Sequence, residues 1–195
     1  MAERPQNATR DQILDVAESL FSSKGYGAVK LRDIGDAVGM RHASLYYYVP
    51  GGKEELYLEV MQRNFKRHHA GMTQAIEDAG DDIRQQVHGV AQWLISQPPI
   101  NLSRMQQADL PALQPQNSQM LGDLAIYSLS TPLIEALKKA NSAGTINIDA
   151  PEVAAMALVT LMQSIHHIPK EVLPNGLAPF GKSLADMLLY GWLAR

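Results

Sequence analysis

Arg32, Arg41 and Lys53 fall in one short stretch that also holds Ser44, Tyr46 and Tyr48. Guanidinium and ammonium groups neutralise phosphate, and hydroxyls donate to phosphate oxygens, so this set suits a nucleic-acid backbone. A second set, Trp93, Met105, Tyr127, Met162 and His166, carries aromatic, thioether and imidazole groups of the kind that line mostly apolar ligand cavities. The same types at helical spacing also fill cores by default. Gln106 and Asp109 are the polar groups suited to gripping a ligand there. The pairs His68-His69 and His166-His167 raise metal coordination, since imidazole is a common ligand. Adjacent helical residues point about 100° apart, so neither pair chelates alone. With no cysteine in the chain, no metal site and no cofactor are expected, and one histidine of each pair should face inward. No nucleophile and base fall into a catalytic pattern, so an enzyme is not expected.

The elements that must position these groups read as helices throughout. Thr9 and Gln12 have capping-box spacing, and Ile13, Ala17, Leu20 and Phe21 follow on one face, which predicts a helix from Thr9 to Lys24. Leu31 to Val38 and Arg41 to Val49 are two short helices separated by Gly39, and Pro50-Gly51-Gly52 stops the second. Three short helices with a glycine turn between the last two make a helix-turn-helix pattern. Tyr47 is expected to be one of its packing aromatics. A long helix follows from Lys53 to about Asp78, then one from about Asp81 to Ser96. One short helix is expected within Asn101 to Pro115, and another long one over Gln116 to Asn141, kinked or split at Pro132. Asp149 should cap a helix running to about His167, and the last helix spans about Pro179 to Ala194. The fold class is all-α.

Over 195 residues the chain is 46% apolar and 19% charged, a composition that folds. Its net charge of −3 argues against a general nucleic-acid coat but leaves room for a local basic face. The first residues carry no apolar core of a signal peptide, and no run is long enough to span a membrane, so a cytoplasmic protein is expected and the Asn7-Ala8-Thr9 sequon carries no weight.

From Thr9 to Leu56 the sequence resembles the TetR family of regulators. The residues that carry the resemblance are Ile13-Leu-Asp-Val-Ala, Leu20-Phe21, Lys24-Gly25-Tyr26, Arg32-Asp33-Ile34, Val38-Gly39-Met40, Leu45-Tyr46 and Lys53-Glu-Glu-Leu56. The resemblance implies a DNA-binding domain over residues 1–55 and a helical ligand-binding and dimerisation domain over 56–195. It further implies DNA contact by His42, Ala43, Ser44, Tyr46 and Tyr48 on the third helix, with Arg32 and Lys53 at backbone-contact positions. Arg41 adds a cation beside them, and His42 is the expected base reader. Lys30 stands where the family usually has a capping threonine, Gly35 where it commonly has alanine, and Tyr48-Val49 where a His-Phe pair is frequent. The last two helices carry apolar residues on more than one side, which suits a homodimer interface. The function expected is a ligand-responsive transcription regulator, in family habit a repressor. It would hold a near-palindromic DNA operator as a dimer and be released by a largely apolar small-molecule effector. A helical small-molecule binding protein and an effector-independent DNA-binding dimer are the alternatives.

Overall fold

The computed structural model describes residues 3–173 and 175–192, the side chains of residues 3–8, 42, 170 and 192 excepted. Its helices run in the order α1 (Glu3–Lys24), α2 (Leu31–Val38), α3 (His42–Tyr48), α4 (Gly52–Asp78), α5 (Ile83–Ser96), α6 (Leu102–Arg104), α7 (Pro115–Ser142), α8 (Pro151–Ser164) and α9 (Leu177–Trp192). A π turn, Met105–Asp109, and a 3-10 turn, Leu110–Ala112, continue α6. No strand occurs among the described residues. Two compact units result: one holds the chain up to Asn64 together with Ser103–Leu124, the other Phe65–Leu102 with the chain from Ala125. α4 and α7 each contribute to both.

Several local expectations change. α1 begins at Glu3, so Thr9 lies inside the helix rather than capping it. Pro5 is no obstacle, because in a first turn its missing N–H has no intrahelical partner to lose. α2 starts after Lys30, an extended residue whose N–H donates 2.9 Å to the Asp33 carboxylate, and ends at Gly39, whose φ of 74° is left-handed. A carboxylate in the first turn thus supplies the reciprocal half of a capping box and suits the positive end of the helix. α7 passes through Pro132 unbroken. α8 is preceded by Ala150, not Asp149, and no side chain caps it. The turn before it is held instead by Asn141, which accepts from the Ile148 N–H at 3.0 Å and donates to the Ile148 carbonyl at 3.1 Å.

In the first unit Ile13, Ala17, Ile34, Leu45 and Leu56 are at most 1% exposed, with α1 packed on α2 and α2 on α3. Phe21, Tyr26 and Tyr57 close this core, Tyr57 meeting the other two rings at 5.0 and 4.9 Å. Burying each such side chain contributes about 1.5–3 kcal/mol, enough to lock α2 and α3, which are too short to persist alone.

In the second unit α5 packs on α8 and α9, and α8 on α9. Val87, Val90, Leu94, Leu158 and Met162 are wholly buried there. Glycine permits two close approaches. A Cβ on Gly71 of α4 would lie 2.1 Å from the Trp93 indole of α5, and one on Gly181 of α9 would lie 2.1 Å from Ile95 Cδ1.

Candidate nucleic-acid interface

α3 is fixed from behind. Leu45 and Val49 are 0% and 1% exposed, and the Arg10 guanidinium on α1 both donates to the Tyr48 carbonyl and pairs with Glu59 on α4. That arrangement ties down the C-terminal end of α3, so its opposite side is presented on a rigid support. Ala43, Ser44 and Tyr46 are exposed on it, with Arg41 just before and Arg32 exposed on α2. The backbone of His42 opens α3, but its side chain lies outside the described residues.

Tyr48 is half-buried, with the Tyr47 ring edge-on at 5.3 Å. Tyr47 itself is 71% exposed, so it is not a core aromatic, because the seven-residue helix leaves it pointing away from Leu45. Lys53 turns inward: its Nζ donates 3.0 Å to the Tyr26 carbonyl and sits 4.0 Å from the centre of the Tyr26 ring. Part of its charge is therefore spent within the unit. Exposed Lys24 and Lys30 are further cations beside α2 that spacing did not single out; a lysine at an N-cap was the available signal.

Behind the aromatic core lies a polar cluster. Asp109, 4% exposed, accepts from the Tyr26 N–H at 2.8 Å and has Arg104 Nε at 3.4 Å and the Tyr57 hydroxyl at 3.5 Å. The first is a full hydrogen bond; the other two are long and chiefly electrostatic. Arg104 also donates to the carbonyls of Phe21 and Ser22 at 2.9 and 2.8 Å, satisfying orphan acceptors at the end of α1. Burial, then the negative charge of Asp109, raises the Tyr57 phenol pKa well above its ordinary value. Gly25, with φ 82°, is needed in this turn, since a Cβ there would lie 3.0 Å from the Arg104 side chain. The cluster binds Ser103–Leu124 into the first unit.

The residues singled out for ligand contact are distributed. Met105, 2% exposed, and Asp109 are buried in the first unit and Gln106 is exposed on the same turn. In the second unit Met162 is wholly buried and His166 half-buried, its pKa lowered by burial against a hydrogen bond to the Leu94 carbonyl. Trp93 lines an open groove of about 1060 Å³ beside Gly71, Gln74, His88 and Gln92. Tyr127 stacks on His69, ring centres 5.1 Å apart, at a separate cleft of about 450 Å³. Within each pair one histidine is deeper than the other, without a clean core-and-solvent split: His68 is 0% exposed and His69 half-buried, His166 half-buried and His167 exposed. Among the described residues no group of three or more His, Cys, Asp or Glu is placed to hold a metal ion, and no helix is long and apolar enough to cross a membrane.

Residues 13–60 match the family described as bacterial regulatory proteins, tetR family. The biofilm operon icaADBC negative transcriptional regulator IcaR of Staphylococcus epidermidis is 43% identical over 56 residues, 29% of this chain and 30% of that protein. The transcriptional regulator LmrA of Bacillus subtilis is 34% identical over 79 residues, 39% of this chain and 42% of its own length. The chain thus spans well under half the length of these relatives. Likeness of fold extends much further. The fatty acid degradation regulator FadR from Bacillus halodurans superposes with a TM-score of 0.72 at 17% identity, covering 93% of this chain and 94% of its own. AibR, solved with isovaleryl coenzyme A and operator DNA, does so with 0.73 at 19%, covering 92% and 97%. Over residues 13–60 the chain thus matches the tetR family of bacterial regulatory proteins in sequence, and over nearly its whole length it shares the fold of such regulators.

Proposed function

We propose that the protein is a ligand-responsive transcriptional regulator, most simply a repressor, that holds a near-palindromic operator as a homodimer. The observation that carries the reading is α3, buried on one side by Leu45 and Val49 and presenting Ser44, Tyr46 and Arg41 on the other. Arg32, Arg41, Tyr46, Tyr48 and, to the extent that Tyr26 releases it, Lys53 serve as phosphate contacts; Ala43 and Ser44 approach the base edges, and His42 reads them. A local cluster of cations accounts for DNA binding by a chain of net charge −3.

Dimerisation through α8 and α9 is supported by their exposed apolar side chains: Val153 and Met156 are 65% and 53% exposed, Met187 and Tyr190 70% and 71%. Twofold symmetry then sets two α3 helices in successive major grooves about 34–36 Å apart. A small-molecule effector that favours another spacing releases DNA by population shift. α4 is the structural continuity between the two functions, since it runs from Gly52 at the head to Asp78 in the second unit.

Selection of bound fragments from a randomised DNA pool tests the reading. An enriched palindrome that is lost with His42→Ala is the expected outcome. A folded dimer that enriches nothing at moderate salt would overturn it.

A further inference from the structure

The cleft that carries Tyr127 has a chemistry of its own. α7 presents Tyr127, Thr131, Glu135 and Lys139 to it, each four residues after the last, and α4 presents His69, Thr73 and Glu77 at the same interval. Residues four apart share a helix face with a turn of about 40° at each step, so each helix offers a slowly winding stripe. His69 stacks on Tyr127 at an interplanar angle of 16°, and Asp81, just past α4, pairs with Lys139 at 2.6 Å. The pairings advance in the same order along both segments, so the two stripes run in the same direction. Glu77 and Glu135 therefore stand at one level, each about 12 Å beyond the aromatic pair at 1.5 Å per residue.

The charges along the cleft are not balanced. Lys139 is taken up by Asp81, whose pKa it lowers through a hydrogen bond, whereas Glu77 and Glu135 have no ion-pair partner among the described residues. Ile76, Pro132 and Ala136 give the cleft an apolar lining between its aromatic and acidic ends. Its volume, about 450 Å³, falls within the usual range for small-molecule sites.

We infer that this α4/α7 cleft binds an elongated organic cation, with an aromatic or apolar end on the His69–Tyr127 pair and a cationic head between Glu77 and Glu135. The carboxylate pair favours a cation over a neutral or anionic molecule of the same shape, and the aromatic pair favours a ring at the opposite end. The inference sharpens the expectation of a largely apolar ligand: one end of the molecule is apolar and the other charged. As an effector site it rests on the regulator reading above; as a binding site it does not.

Calorimetric titration of the full chain, without DNA, with phenylalkyl-trimethylammonium ions of increasing chain length tests it directly. Affinity is expected to peak where ring and nitrogen are about 12 Å apart and to exceed that of the neutral phenylalkanol of matching length. Both glutamates are exposed, so the double variant E77Q/E135Q should fold as the parent and bind the cation about tenfold more weakly. Tyr127→Ala, which removes the contact to the ligand's ring, should weaken it about threefold. Equal affinity for cation and alcohol, affinity that only rises with chain length, indifference to E77Q/E135Q, or no binding by folded protein would each overturn the site. Adding the best-bound ion to a protein–operator complex then separates the two claims: release supports the effector role, and binding without release overturns that role while the site stands.

Discussion

Asp109 in the first unit and His68 in the second are both titratable and both buried, yet they are treated in opposite ways. Asp109 is met by a backbone N–H, a guanidinium and a phenol. Neither ring nitrogen of His68 has a hydrogen-bond partner, and burial, with the Arg67 charge second, lowers its pKa to about 4. A buried charge persists only where partners replace water, and a buried base without them stays neutral. The first unit therefore invests polar contacts in fixing its shape. The second holds most of the unsatisfied buried polar atoms, Trp93 Nε1, Gln163 Nε2 and His166 Nε2 among them, against Arg63 Nη1 and Asn64 Oδ1 at the end of the first, a composition better suited to adjustment than to rigidity.

The sharpest way to break this contrast is at Asp109. Asp109→Ala orphans the Tyr26 N–H and leaves the Arg104 charge, still bonded to the Phe21 and Ser22 carbonyls, without its carboxylate, and should cost about 3 kcal/mol in chemical denaturation. A loss below about 1 kcal/mol would mean the cluster is ornamental.

His68 provides the next test, through pH. Its folded-state pKa lies below the ordinary 6.5, so the unfolded chain takes up the proton first as pH falls. Stability from this group is intact above pH 6.5 and declines as pH drops towards 4, by about 3 kcal/mol in all. His68→Leu is expected to flatten that decline; an unchanged slope would place the acid sensitivity elsewhere.

Two glycines sharpen the comparison at smaller scale. Gly71→Ala drives a methyl into the Trp93 indole and should destabilise by about 1–3 kcal/mol. Gly35→Ala, inside α2, meets only the Met40 carbonyl at 3.4 Å and Leu45 Cδ2 at 3.6 Å, ordinary contacts. Relief of glycine's backbone entropy should there stabilise by about 0.5–1 kcal/mol. Thermal unfolding of both variants decides the signs.

What the sequence discloses follows from the range of the interactions. The α2–Gly39–α3 unit is set by local periodicity and one left-handed turn, so its bounds could be read to within a residue. Apolar repeats likewise placed α4 and α5 closely. The end of α1 towards Glu3 was hidden because Thr9 and Gln12 imitate a cap where the helix already runs. The grouping of Ser103–Leu124 with the head had no local sign, since Tyr26 and Asp109 are 83 positions apart. From sequence alone a buried carboxylate that accepts a distant backbone N–H looks the same as one that waits for a ligand. Of the residues from Tyr127 to Lys139 that line the cleft, spacing singled out Tyr127 alone for ligand contact, because the others gain meaning only from the facing residues of α4.

The π turn at Met105–Asp109 sets a phase. A helix that closes on i+5 carries one residue more than its α-helical equivalent, and that extra residue decides which way Asp109 faces once Arg104 has docked on the end of α1. Deleting a single residue between them would let the ladder regularise and rotate the carboxylate by about 100° away from Tyr26. The segment is thus more sensitive to length than to composition: exposed Gln106, Gln107 and Ala108 can be exchanged freely, but their number cannot change.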